Sequence, residues 1–159
     1  MLERCWFDRG ALNELLEEAK RYRLRETGGA LFGWHDDHEV VVSRILGPGP
    51  NARHGLSHFE PDHKWQGTEG RRIYNESNRS VAYVGDWHTH PRGAARPSAQ
   101  DKKTMASIAK DRDFRTPHPL SLIVGRPTRR SRTLRIYVWN GKMLEPIDNA
   151  YFDAPQTFA

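Results

Sequence analysis

Gly85-Asp-Trp-His-Thr-His-Pro-Arg-Gly-Ala-Ala-Arg-Pro-Ser-Ala-Gln-Asp101 is the stretch on which the reading of this chain turns. Ser80 to Trp87, with Val81, Ala82, Tyr83 and Val84, reads as a central strand that runs directly into His88 and His90, and Pro91 ends it. Ser98 then opens a helix carrying Met105, Ile108 and Ala109 on one side, which Pro117 and Pro119 keep from extending. A strand end and a helix start are joined by a short loop, and His88, His90 and Asp101 gather at that junction.

The flanking segments supply a sheet around this strand. Leu12, Leu15, Leu16 and Ala19 recur at three and four within 11–22, the spacing of one helix face. Cys5, Trp6 and Phe7 before it suggest a short edge strand. Glu26-Thr-Gly-Gly-Ala-Leu-Phe-Gly-Trp34 is expected to be a strand, His35 to His38 a turn, and Glu39 to Leu46, with its run of valines, the returning strand of a hairpin. Gly47 to Gly55 is crowded with turn residues and reads as a movable surface loop. A helix follows from Asp62 through Ser77, with Trp65, Ile73 and Tyr74 inward. Leu120 to Gly125 and Arg132 to Trp139 are strands separated by a turn, and Asn140-Gly141 marks a hairpin into a last strand, Lys142 to Ile147. The expected fold is α/β, a mixed central β-sheet flanked by helices, with residues 1–148 as one domain and 149–159 as a loosely held tail.

At 159 residues such a domain buries roughly 70% of the surface its unfolded chain exposes. No apolar run approaches the roughly 20 residues of a membrane-spanning helix, and the first residues lack the basic-then-apolar order of a signal peptide, so a cytoplasmic protein with no membrane partner is expected. Cys5 is the one cysteine, which excludes an internal disulfide and a Cys-x-x-Cys metal site. The formal charge of +5 and a pI near 9.6 raise the question of nucleic acid. The basic residues, however, are scattered over Arg21, Arg23, Arg25, Arg71, Arg72 and the 126–135 segment, and no nucleic-acid-binding motif accompanies them. An acidic protein partner suits the same charge.

Residues two apart in a strand point to one face with Cα atoms roughly 6.5 Å apart, so His88 and His90 can converge on one ion. Imidazole suits zinc, and two His with a carboxylate is a known ligand set that leaves a position for water; Asp101 is the natural third member. Ser98-Ala-Gln-Asp101 is equally the sequence of a helix capping box, and the two readings are compatible. A lone His-x-His is more often surface or pocket histidine than ligand. Its combination with the proline and the Ser-x-x-Asp reverses those odds.

His88-Thr-His90-Pro91, six residues, then Ser98-x-x-Asp101 resembles the signature of the JAMM metalloproteases, the JAB/MPN family, and Glu26 with its glycine-rich strand resembles that family's upstream glutamate. The resemblance implies the family's cytidine-deaminase-like architecture and one Zn2+ held by His88, His90 and Asp101. It further implies Glu26 as the group that takes a proton from water and hands it to the leaving amine, and Ser98 as the donor to the oxyanion. Phe59-x-Pro-Asp62 and Gly85-Asp-Trp-His-Thr-His-Pro are similar to bacterial stand-alone JAB proteins, including those encoded beside ubiquitin-transfer-like enzymes in anti-phage (CBASS) operons. This implies an isopeptidase acting after a ubiquitin-like or conjugated protein C-terminus. Processing of a sulfur-carrier protein is the alternative within the same chemistry, and a RadC-like nucleic-acid-associated protein the alternative outside it. All five motif positions are present, against an inactive scaffold. Asp86 shares the strand parity of the two histidines and is either a partner orienting an imidazole or an exposed carboxylate. His35, His38, His54, His58, His63 and His118 are expected to be solvated, and Trp87 and Trp139 to pack.

Overall fold

A computed structural model describes residues 1–128 and 132–152. It opens with β1 (Arg4–Phe7) and α1 (Arg9–Arg21). Asp8 caps the helix by accepting the Ala11 N–H at 2.9 Å, and Leu12, Leu15 and Ala19 are buried, as their spacing requires. β2 (Gly28–His35) and β3 (Glu39–Leu46) form the expected antiparallel hairpin. The 47–55 segment, expected to be a movable loop, contains β4 (Arg53–His54), which pairs with β5 (Phe59–Glu60) just beyond it as a separate two-stranded ribbon. α2 (His63–Glu76) starts at Asp62, whose carboxylate accepts the Trp65 N–H at 3.1 Å. Then come β6 (Ala82–Thr89), α3 (Ala99–Lys110), β7 (Leu120–Pro127), β8 (Arg132–Trp139), β9 (Leu144–Pro146) and β10 (Asn149–Tyr151).

Eight strands make one sheet in the order β10-β1-β3-β2-β6-β7-β8-β9, with β1 parallel to both neighbours and β6 parallel to β7. Alternation divides each strand between two faces. Leu31, Val40, Val42, Leu122, Val124, Ile136 and Val138 share a core with Leu12 and Leu15 of α1. The residues between them face the other way: Ala30 and Phe32 meet Ile73 of α2, and Ile123 and Tyr137 meet Met105 and Ile108 of α3. The result is the mixed α/β sheet between helices that the element order implied. Leu15 is fully buried, and its replacement by Ala should cost about 2–5 kcal/mol. Among the described residues, no helix is long and apolar enough to cross a membrane.

Several placements differ from expectation. β1 is not an edge strand, because β10 lies outside it, and Cys5 and Phe7 are fully buried. Asn149–Tyr151, expected to begin the tail, supply that outer strand, with Cys5 opposite Ala150 and Trp6 stacked on Tyr151 at 4.5 Å between ring centroids. Residues 153–159 of the tail, and 129–131 of the expected turn before β8, lie outside the described residues. The central strand starts at Ala82 rather than Ser80 and continues through Thr89, so His88 belongs to the sheet proper.

One irregularity in β6 matters for the site. Leu31 pairs with Gly85 but Phe32 pairs with Tyr83, leaving Val84 as an extra residue, a β-bulge. The bulge resets parity, so Tyr83 shares a face with Asp86 and His88 instead of with Trp87. Gly85 permits it: a Cβ there would stand 2.6 Å from the Leu120 backbone nitrogen.

Candidate metal centre and active site

The end of β6 carries His88, and one residue beyond it His90 continues on the same face. The backbone there is held on both sides. His90 N–H donates to Val124 O at 2.7 Å, and Thr89 N–H donates to Thr27 O at 2.9 Å. The loop that follows is fastened to β7 and β8. Arg126 N–H donates to Gly93 O at 2.8 Å, and the buried Tyr137 hydroxyl donates to Ala95 O at 2.7 Å. These anchors aim the start of α3 at the strand end.

At that start both readings of Ser98-x-x-Asp101 hold together. Ser98 Oγ accepts the Asp101 N–H at 3.1 Å while Asp101 Oδ2 accepts the Ser98 N–H at 2.7 Å, a capping box. The same carboxylate reaches the histidines, with Oδ1 3.2 Å from His88 Nε2 and Oδ2 3.4 Å from His90 Nε2. The two Nε2 atoms stand 3.0 Å apart. One ligand atom from each of His88, His90 and Asp101 lies within 4.8 Å of the others, an arrangement that could hold a metal ion. The side chains retain 15–17% exposure, so the donors are mostly desolvated yet open to a small molecule.

The electrostatics favour a cation at this point. Burial pushes the Asp101 carboxyl up, but the hydrogen bonds from His88 and His90, the His88 charge and the Ser98 N–H together hold it well below the usual carboxylate range. The Asp101 hydrogen bond pushes His90 up, against its burial. His90 Nδ1 is 3.1 Å from Ala94 O, which can accept an Nδ1–H, and a metal ion would take Nε2 in place of the proton that Nε2 shares with Asp101. The donor set therefore fits a divalent metal.

Glu26 sits just before β2, half-buried, outside the strand it was expected to begin. Burial raises its pKa, while His90 and His88 draw it down and Asp101 raises it, so its carboxyl lies within the field of all three candidate ligands. Its backbone is clamped: Glu26 N–H donates to Gly55 O at 2.8 Å, and His54 Nδ1 lies 3.0 Å from Glu26 O. His54 is thus not the solvated residue expected. Its ring stacks on Tyr22 at 3.8 Å and 9°, with Phe59 5.5 Å away, so the β4–β5 ribbon braces the glutamate. Nothing in the sequence around His54 signals this, because the contacts come from α1 and from a ribbon of two-residue strands. The other five histidines named above are exposed, as expected.

Asp86 fits neither expectation. It accepts the Tyr83 hydroxyl at 2.8 Å, and burial pushes it up to about 6 against that bond and the charge of His88. Trp87 is buried and donates Nε1–H to Leu46 O at 3.0 Å, and Trp139 packs beside Tyr137. Gly28, opposite His88, is required by close approach: a Cβ there would meet Phe59 at 2.9 Å and the His88 Cβ at 3.0 Å.

This fold, with a His-His-Asp cluster at the junction of a strand and a helix and a glutamate beside it, defines a metallopeptidase class. Residues 8–137 match the family described as prokaryotic homologs of the JAB domain, and the chain belongs to that family; it is a JAMM-type metalloprotease. It is 31% identical over 121 residues to the probable metalloprotease y4qB of Sinorhizobium fredii, covering 75% of this chain and 74% of that one. It is 30% identical over 129 residues to a CD-NTase/cGAS isopeptidase of Escherichia coli, covering 78% and 71%. The solution structure of protein DSY2949 from Desulfitobacterium hafniense superposes with a TM-score of 0.72 at 20% identity, over 94% of this chain and 92% of that one, a likeness of fold.

Proposed function

We propose that this protein is a zinc-dependent isopeptidase that hydrolyses the amide after the C-terminus of a ubiquitin-like or otherwise conjugated protein. His88, His90 and Asp101 would hold the ion, Glu26 would move the proton, and Ser98 would donate to the oxyanion. The observation that carries this reading is the convergence of three donor side chains on one point within the field of a half-buried glutamate.

Two imidazoles and a carboxylate suit zinc. When bound, the ion supplies Lewis acidity, polarising a carbonyl and bringing the pKa of water to about 7. The protein's own groups do the rest. Glu26 accepts the proton of the attacking water and delivers it to the departing amine, a transfer that needs the fixed position its clamped backbone provides. Ser98 Oγ already accepts the Asp101 N–H, which orients the hydroxyl and leaves its proton to donate to the oxyanion. Ala94 O holds the His90 ring through Nδ1, so that Nε2 would be the atom offered to the ion.

The name of the Escherichia coli relative supports an isopeptidase acting on a nucleotidyltransferase conjugate. The proposed setting is cytoplasmic anti-phage defence beside ubiquitin-transfer-like enzymes. The test is to offer the zinc-loaded protein two substrates, a nucleotidyltransferase joined through its C-terminus to a lysine side chain and a C-terminally extended sulfur-carrier precursor. Release of the first is expected. Cleavage of the second alone would move the protein to sulfur-carrier processing, and cleavage of neither would overturn the substrate reading.

A further inference from the structure

The basic residues that look scattered in the sequence are partly gathered by the fold. A groove of about 400 Å³ runs beside the start of α3, with Arg96, Lys102, Arg135 and Lys142 around it and Trp139 and Met143 among its apolar surfaces. They come from three places: the loop before Ser98, the first turn of α3, and the β8–β9 hairpin. All four cations are exposed, and among the described residues no carboxylate lines the groove. Met143 is 52% exposed, an apolar side chain left in water between charges.

The groove adjoins the candidate centre along the chain. Arg96 stands two residues before Ser98, and Lys102 directly follows Asp101. The loop between is rigidly held, since the Tyr137 hydroxyl beneath the groove donates to Ala95 O at 2.7 Å. A polypeptide lying in the groove therefore approaches the ligands across residues that α3 and β8 fix relative to them.

We propose that this groove binds an acidic segment of the protein substrate flanking the scissile amide, which rests on the peptidase reading above. Four cations without a countercharge select carboxylates and raise the encounter rate with an acidic chain. Trp139 and Met143 give interspersed apolar side chains a surface to cover. A single-stranded nucleic acid is a poorer match. Such sites combine a basic track with several exposed aromatic platforms for successive bases, and here the aromatic rings lining the groove are Trp139 and the buried Tyr137, whose hydroxyl is taken by Ala95 O.

The test is fluorescence anisotropy at low salt on the zinc-loaded protein and on its Arg135→Gln/Lys142→Gln variant. The probes are a short labelled peptide of alternating Glu and Leu, its Gln-for-Glu counterpart, and an oligothymidylate. Both substituted residues are exposed, and circular dichroism with zinc content verifies the fold. The acidic peptide is expected to bind the wild type, and to bind the variant roughly 4- to 25-fold more weakly, at about 2- to 5-fold per exposed cation. Its affinity should also fall as salt rises. Equal binding of the Glu and Gln peptides, unchanged affinity in the variant, or tighter binding of the oligothymidylate overturns the proposal. Cleavage is read separately. If the acidic peptide binds through these cations and no amide is cut, the peptidase reading fails while the groove stands. If conjugates are cut with no dependence on Arg135 and Lys142, the groove fails alone.

Discussion

Thr89, the residue between His88 and His90, accepts the Thr27 N–H through Oγ1 at 3.0 Å and donates its own backbone N–H to Thr27 O at 2.9 Å. Both threonines are buried. One cross-strand pair thus ties the residue after Glu26 to the residue between two candidate ligands. It fixes the position of Glu26 relative to the candidate metal site.

Thr89→Val keeps the branched shape and removes the acceptor, leaving the Thr27 N–H buried without it. A cost of about 1–3 kcal/mol is expected. The melting temperature should fall, and kcat should fall further than the stability loss explains, since Glu26 is freed to shift. A melting temperature and kcat both equal to wild type would show that the pair does not set this distance.

His54→Phe preserves the flat ring on Tyr22 but deletes the nitrogen beside Glu26 O. Steady-state kinetics should show a reduced kcat with KM and zinc content near wild type, whereas His54→Ala should also lower the melting temperature by removing the stack. Unchanged kcat in both variants would leave the ribbon without a part in catalysis.

The candidate ligand cluster and the helix cap were legible because their chemistry is local. His88 and His90 are two apart, Ser98 and Asp101 three apart, and such spacings hold whatever surrounds them. Glu26 lay within reach only through family resemblance, since no local pattern places it near the histidines. The Thr27–Thr89 pair was half visible: alternation requires the residue between two ligands to face away from them, but not what it meets there. His54, the outer strand at Asn149–Tyr151 and the basic groove depend on segments distant in sequence that meet only through the sheet order. The bulge at Val84 mattered most for Asp86, turning Tyr83 onto its face and giving the carboxylate a hydroxyl partner instead of an imidazole.

Cys5 is fully buried, and desolvation pushes its thiol up to about 12. Near neutral pH it should not react with a thiol-specific reagent until the protein unfolds, and should then react fully. Rapid modification of the native protein would contradict the interior placement of β1 and the outer position of β10.

Stripping the ion with a chelator should abolish cleavage, and stoichiometric zinc should restore it. Because a ligand of the native state alone adds stability, the metal-free protein should also melt lower, by about 4 kcal/mol of binding free energy where free zinc exceeds its dissociation constant a thousandfold. His88→Ala should behave as the stripped protein does and not respond to added zinc. Normal activity in that variant would remove His88 from the ligand set.

The division of labour between three ligands and one proton carrier is tested most directly by Glu26→Gln, assayed together for zinc content and for cleavage of a lysine-linked conjugate. Near one zinc per chain is expected, with kcat lowered by roughly 10²–10⁴-fold, the usual worth of a positioned general base. Wild-type turnover in Glu26→Gln, or a wild-type protein that carries no zinc, would contradict it.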